Sequence, residues 1–151
     1  MFLNLIVALS NIPAINPIYR SMLNNDYVTS LIIGYVASMS FVSHLFENHK
    51  HDMPGIGFSK QISYLLNRMD VLGCGLTIAR FIYLYYQKFG MSMTKYIHKY
   101  ILMLLLCFSL LIISEHDNLN KTLRTRYIIT HCLWHIGIFF TMDTILKNVI
   151  Y

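Results

Sequence analysis

Long apolar stretches separated by polar connections set the outline of this chain. Residues 27–46 form a run of 20 residues without Asp, Glu, Lys or Arg, which is the length needed to cross a bilayer as a helix. Residues 100–114 and 127–145 are similarly apolar. Residues 68–86 make a fourth candidate, with Asp70 near its start and Arg80 in its interior. Residues 1–18 are apolar but interrupted by Pro13 and Pro17, so they predict a short, kinked first span. A secretory signal would carry a basic stretch ahead of its apolar core, and no Lys or Arg precedes Arg20. The polar segment from Glu47 to Arg68 predicts the longest loop, turning at Pro54, Gly55 and Gly57, with a short amphipathic piece from Ser59 to Leu66. The pattern therefore predicts an all-α, multi-pass transmembrane bundle of about five spans, forming one domain over residues 1–151.

Composition supports a lipid solvent for these helices. The chain is 56% hydrophobic and only 13% charged, against about 25% charged in a soluble domain. A net charge of +5 could suggest a nucleic-acid partner. The twelve Lys and Arg are instead scattered over segment ends, where they anchor helices at headgroups, so no nucleic acid is expected and the bilayer is the expected partner. Six basic residues on one predicted side (Lys50, Lys60, Arg68, Lys121, Arg124, Arg126) against five on the other (Arg20, Lys88, Lys95, Lys99, Lys147) leave orientation undecided. Cys74, Cys107 and Cys132 lie in apolar runs with no disulfide or CxxC spacing, and read as small buried residues. Tyr83, Tyr85, Tyr86, Tyr96 and Tyr100 stand where spans meet a basic connection, the pattern of an interfacial belt.

The candidate chemistry lies in polar residues that apolar spans would ordinarily exclude. His131 and His135 are i and i+4 on one helix face, an arrangement that presents two imidazoles the same way. Ser40 and His44 repeat that spacing on the second span. A parity argument joins them: if each span crosses once, the end of the second span and the starts of the third and fifth share one membrane side. At 1.5 Å rise per residue, His44, Asp70 and His131 then lie about 3–8 Å inside the span ends, with Ser40 and His135 about a turn deeper. Three imidazoles form a ligand set that zinc uses in catalytic sites, with a fourth position left for water. Asp70 could shuttle a proton and the Ser40 hydroxyl could hold a substrate carbonyl or oxyanion. That chemistry is metal-assisted hydrolysis, and its depth favours a membrane lipid as substrate. Taken singly, Asp70 also suits a helix N-terminal cap, and each histidine suits an interhelical hydrogen bond. His49, His51 and Asp52 form a weaker second metal candidate in the polar loop.

The order Ser40-x3-His44, Asp70, His131-x3-His135 resembles the signature of the CREST superfamily of membrane hydrolases, which includes alkaline ceramidases, progestin/adiponectin-type receptors, a lipid-remodelling branch and myomaker-like proteins. The resemblance covers residues 38–136 and implies Zn2+ on His44, His131 and His135, with Ser40 and Asp70 in the catalytic shell. Members of that superfamily resemble seven-helix proteins, with several spans between the Asp helix and the His-pair helix, whereas here there is one. Losing two spans preserves the side parity and alters the pocket. The resemblance also implies an alternative, a zinc-stabilised protein without turnover, as in fusion- or receptor-like members. Two further readings are haem binding by histidines of two helices, and a small structural or transport subunit in which Arg80 and Asp143 line a polar path.

Overall fold

The computed structural model describes residues 2–51, 53–57, 59–117 and 119–151, with the backbone alone over 93–99. Six α-helices follow one another: α1 Phe2–Leu9, α2 Ile15–Leu23, α3 Tyr27–Leu45, α4 Lys60–Phe89, α5 Met93–Glu115 and α6 Arg124–Ile145. No strand occurs among the described residues. Three stretches are long and apolar enough to span a membrane: Phe2–Leu23, Tyr27–Leu45 and Lys121–Ile150. Tyr100–Glu115 is apolar but shorter, and α4, the longest helix, is not among them.

The first stretch is broken as the prolines predict. The α1 helix ends at Leu9, a 3-10 turn covers Ile12–Ala14 with Pro13 in it, and α2 resumes at Ile15. Pro17 lies in the first turn of α2, where a missing N–H costs no helical bond. The break turns the side chains of Ser10 and Asn11 toward the bundle. The α3 helix is capped by Asp26, whose carboxylate accepts from the Thr29 N–H at 3.1 Å.

The expected division of residues 59–86 into an amphipathic piece and a separate span is not what forms. One helix of 30 residues runs from the Ser59 cap to Gly90, whose positive φ of 53° ends it. The polar Asn67, Arg68 and Asp70 mark a change of surroundings, and nothing in them breaks a backbone. Asp70 consequently lies ten residues past Lys60, in the helix body, and cannot be its N-terminal cap.

Helices α3 and α4 pair along their length, as do α5 and α6, while α1 and α2 lie against α3 and α6. The consecutive α4 and α5 barely touch. Between the two pairs lies a cavity of about 490 Å3, walled mostly by apolar side chains such as Val36, Val71, Ile78, Trp134, Ile138 and Phe139. Gly34, Ala37 and Ser38 of α3 line a shallow groove beside the α1–α2 break. The α3 and α4 helices approach closely at Gly73 of α4, where an added Cβ would stand 2.9 Å from Val36 Cβ. Gly73 and Val36 are each about one turn from Asp70 and Ser40. Gly73→Ala is therefore expected to push α3 and α4 apart and to destabilise the protein by about 1–3 kcal/mol, read as a lowered midpoint of thermal unfolding in detergent. An unchanged midpoint would show that the pair can relax there.

At the end of the bundle away from the histidines, two ion pairs answer for the charges that the apolar pattern left unexplained. Arg80 donates to Asp26 at 2.7 Å and to Thr29 Oγ1 at 2.8 Å. Arg20 forks onto Asp143 at 2.6 and 3.0 Å. Tyr85 and Tyr100 are not part of an interfacial belt, since both are buried against Ile145 and Val149. Tyr83 and Tyr86 are exposed, and the Tyr96 side chain lies outside the described residues. All three cysteines are free; Cys107 is buried, and Cys74 and Cys132 are half-buried.

Candidate metal centre

The three histidines picked out by spacing come together. His44 at the end of α3 and His131 and His135 in the first half of α6 are all buried, and one ligand atom from each lies within 4.8 Å of the others. The ring centroids are 4.6–5.0 Å apart. The Nε2 atoms of His44 and His131 approach to 3.1 Å. Tetrahedral zinc ligands at 2.0–2.1 Å from the ion stand about 3.3 Å apart, close to the His44–His131 separation.

Hydrogen bonding decides which nitrogen of each ring faces inward. Ser10 Oγ gives its single proton to the Val7 carbonyl at 2.6 Å, so it must accept from His135 Nδ1, 2.7 Å away. Ser114 Oγ likewise donates to the Leu111 carbonyl at 2.7 Å and accepts from His131 Nδ1 at 3.0 Å. His44 Nδ1 faces the Glu47 carboxylate at 3.2 Å, and an ionised carboxylate can only accept. All three imidazoles therefore carry their proton on Nδ1 and turn an Nε2 lone pair inward. The two Nε2 atoms at 3.1 Å need a proton or a metal cation between them. This is the tautomer in which histidine binds a metal, with each outer nitrogen held by a supporting hydrogen bond.

The surrounding charges agree with a cation. Glu47 is fully buried and holds Lys50 at 3.4 Å, while Tyr127 donates to its other oxygen. Burial pushes the Glu47 carboxyl up, but the Lys50 ammonium, His44 with its hydrogen bond, and Tyr127 outweigh it and hold the carboxyl down at about 2. Burial pulls the Lys50 ammonium down, and the carboxylates of Glu47 and Glu115 outweigh that and raise it. Lys50 reaches Glu115 at 2.8 Å, and Glu115 stands 3.6 Å from His131 Nδ1. One ammonium shared by the carboxylates of Glu47 and Glu115 leaves a formal negative charge beside the histidines. A cation among the imidazoles answers that charge, and buried charge needs such pairing.

Asp70 and Ser40, the other two residues predicted for the site, line the same cavity as the histidines. Ser40 Oγ lies 3.2 Å from His135 Nε2 and donates to its lone pair. Several site residues were not singled out by sequence reasoning: Ser10, Ser114, Glu47, Lys50, Tyr127 and Glu115. Glu47 had a readable signal, its i+3 spacing from His44. Ser10 and Ser114 had none, because hydroxyls in apolar helices commonly bond their own backbone. Asn4 was also missed; its side-chain amide donates to the His44 and Glu47 carbonyls at 3.1 and 2.7 Å, satisfying the open end of α3.

The second loop candidate does not assemble among the described residues. His49 Nδ1 bonds Ser63 Oγ at 2.7 Å and His51 Nδ1 bonds the Asn120 carbonyl at 2.8 Å, while Asp52 lies outside the described residues.

No family model matches the chain, and no solved structure matches it. It is 54% identical over 150 residues to "Uncharacterized protein L282" of Acanthamoeba polyphaga mimivirus, an alignment covering 98% of this chain and 99% of the viral one. The chain and that mimiviral protein belong to one family.

Proposed function

We propose that the chain is a multi-pass membrane hydrolase, zinc-dependent and similar to the CREST enzymes, that cleaves an amide or ester bond of a membrane lipid. The observation that carries this reading is the convergence of three inward Nε2 lone pairs at the polar end of an otherwise apolar cavity, with Asp70 and Ser40 on its wall. Zinc held by His44, His131 and His135 would supply Lewis acidity and activate water near neutral pH. The Asp70 carboxylate accepts a proton from the attacking water and returns it to the leaving nitrogen or oxygen. The Ser40 hydroxyl donates to the carbonyl oxygen as negative charge builds there. The apolar wall formed by Val36, Trp134, Ile138 and Phe139 takes up the acyl chain and keeps bulk water out. Where α4 and α5 diverge, the half-exposed Val71, Ile78 and Phe108 border the cavity, as suits a substrate arriving from the bilayer. Five crossings, with α4 and α5 as the third and fourth, put the polar end of the cavity at one interface.

The competing readings account for less of this geometry. Ring centroids only 4.6–5.0 Å apart leave no slot for a macrocycle between any two of the imidazoles. Arg80 and Asp143 are each ion-paired and neither lines the cavity, which weakens a transport path.

The test is metal analysis of detergent-purified protein by elemental mass spectrometry, followed by a screen of ceramide-like amides and phospholipid esters. About one zinc per chain is expected, lost in a folded His131→Ala/His135→Ala variant, together with amide or ester cleavage by the wild type. Folded wild type without zinc would end this reading. Zinc without cleavage of any lipid tested would leave the metal centre and remove the hydrolase.

A further inference from the structure

The ligand histidines are buried, so a cation needs a route to them. The apolar wall of the cavity offers none, because hydrocarbon surroundings exact a heavy penalty on a hydrated dication. At the polar end of the cavity, residues 46–51 and 53–57 pack beside the histidines as a cover. Arg124 clamps the His51 carbonyl at 3.1 and 3.0 Å, His51 Nδ1 bonds the Asn120 carbonyl, and Met53 is buried beside Val7 and Tyr127.

Glu115, at the end of α5, lines the polar end of the same cavity beside that cover. Its side chain is 35% exposed, yet its Oε1 reaches to 3.6 Å from His131 Nδ1. Its partner Lys50 is almost fully buried and also lines the cavity at its polar end. Glu47, the other carboxylate on Lys50, is fully buried and has no face to water.

We propose that the Lys50–Glu115 ion pair is the aqueous-side gate of the metal centre, with Glu115 as the transient ligand that admits a divalent cation to the histidines. This rests on the metal-centre reading above. An arriving cation replaces the Lys50 ammonium on the Glu115 carboxylate, exchanging one positive partner for another. Lys50 keeps Glu47 as counter-ion while the cation moves on to the converging Nε2 atoms. Glu115 therefore governs how fast metal arrives and leaves the final occupancy to the histidines.

The test follows Zn2+ loading over time in chelator-stripped, detergent-solubilised protein, with aliquots quenched by chelator, desalted and counted by elemental mass spectrometry. Glu115→Gln is expected to load about tenfold more slowly or worse, the scale of an electrostatic effect on association, and to reach the same final zinc content as wild type. Asp117→Asn removes a surface charge two residues away and is expected to load at the wild-type rate. The proposal is overturned if Glu115→Gln loads as fast as wild type, or if Asp117→Asn slows loading equally, since general surface charge would then be the cause. A lower final zinc content in Glu115→Gln also overturns it, by making Glu115 part of the holding site. Should Glu115→Gln not fold, Glu115→Asp, whose carboxylate stops one methylene short, is measured with the same expectation and the same overturning results. Wild type that takes up no zinc defeats the metal-centre reading itself, and the gate with it.

Discussion

Asp70→Asn is expected to keep the full zinc content of the wild type while losing lipid cleavage by a factor of about 10²–10⁴, the usual contribution of a positioned proton-transfer group. Asparagine keeps the size and shape of aspartate, so the α3–α4 pair has no reason to move. What it loses is the capacity to take up and return a proton. The three ligand imidazoles are supported by Ser10, Ser114 and Glu47 and not by Asp70, so metal content should be indifferent to the change. The measurement pairs zinc content with initial cleavage rates on the substrate found by the lipid screen. Turnover near the wild-type rate would remove Asp70 from the mechanism, and loss of zinc would make it part of the metal's support.

A second large effect is expected at Glu47. Glu47→Ala should destabilise the metal-free protein by about 3–5 kcal/mol, as breaking a buried ion pair from one side typically does. It should also weaken zinc binding about 10–100-fold, the usual cost of losing a supporting hydrogen bond to a ligand histidine. The cause is threefold. Lys50 keeps only Glu115, Tyr127 loses its acceptor, and His44 Nδ1 loses the carboxylate that fixes its tautomer. Each is a buried polar group left short of a partner. Unfolding in detergent and a competitive zinc titration check the two halves separately. Glu47→Gln, which keeps the shape and part of the hydrogen bonding, should fall between wild type and alanine in both. Wild-type behaviour of Glu47→Ala would mean that the network contributes little to either.

Much of the architecture was legible because apolar length and helix-breaking residues impose simple rules on a chain. Residues 27–46 and 127–145 correspond to α3 and most of α6, since an uninterrupted apolar run satisfies its backbone only as a helix. The broken first stretch follows directly from Pro13. The boundary at Arg68 was misread because polarity reports what surrounds a helix and says little about where the backbone stops. The real stops of α4 are local chemistry, the Ser59 cap and the positive φ of Gly90.

The site divides along the same line. Helical periodicity was enough to pair His131 with His135 and Ser40 with His44, each pair on one helix face. Both pairings are properties of order and spacing, which a sequence states outright. Which nitrogen each ring turns inward depends on where the one proton of Ser10 and the one proton of Ser114 go, and those residues lie far from their histidines along the chain. The partners of Arg80 and Asp143, and the chain of Glu47, Lys50 and Glu115, are likewise contacts between distant segments. Sequence by itself determined the apolar helices and the one-face pairs His131/His135 and Ser40/His44, because those follow from apolar length and helical spacing. Only the tertiary structure decided the tautomers, the charge balance and the divergence of α4 from α5 that opens the cavity, because each depends on distances between groups that the chain order leaves free.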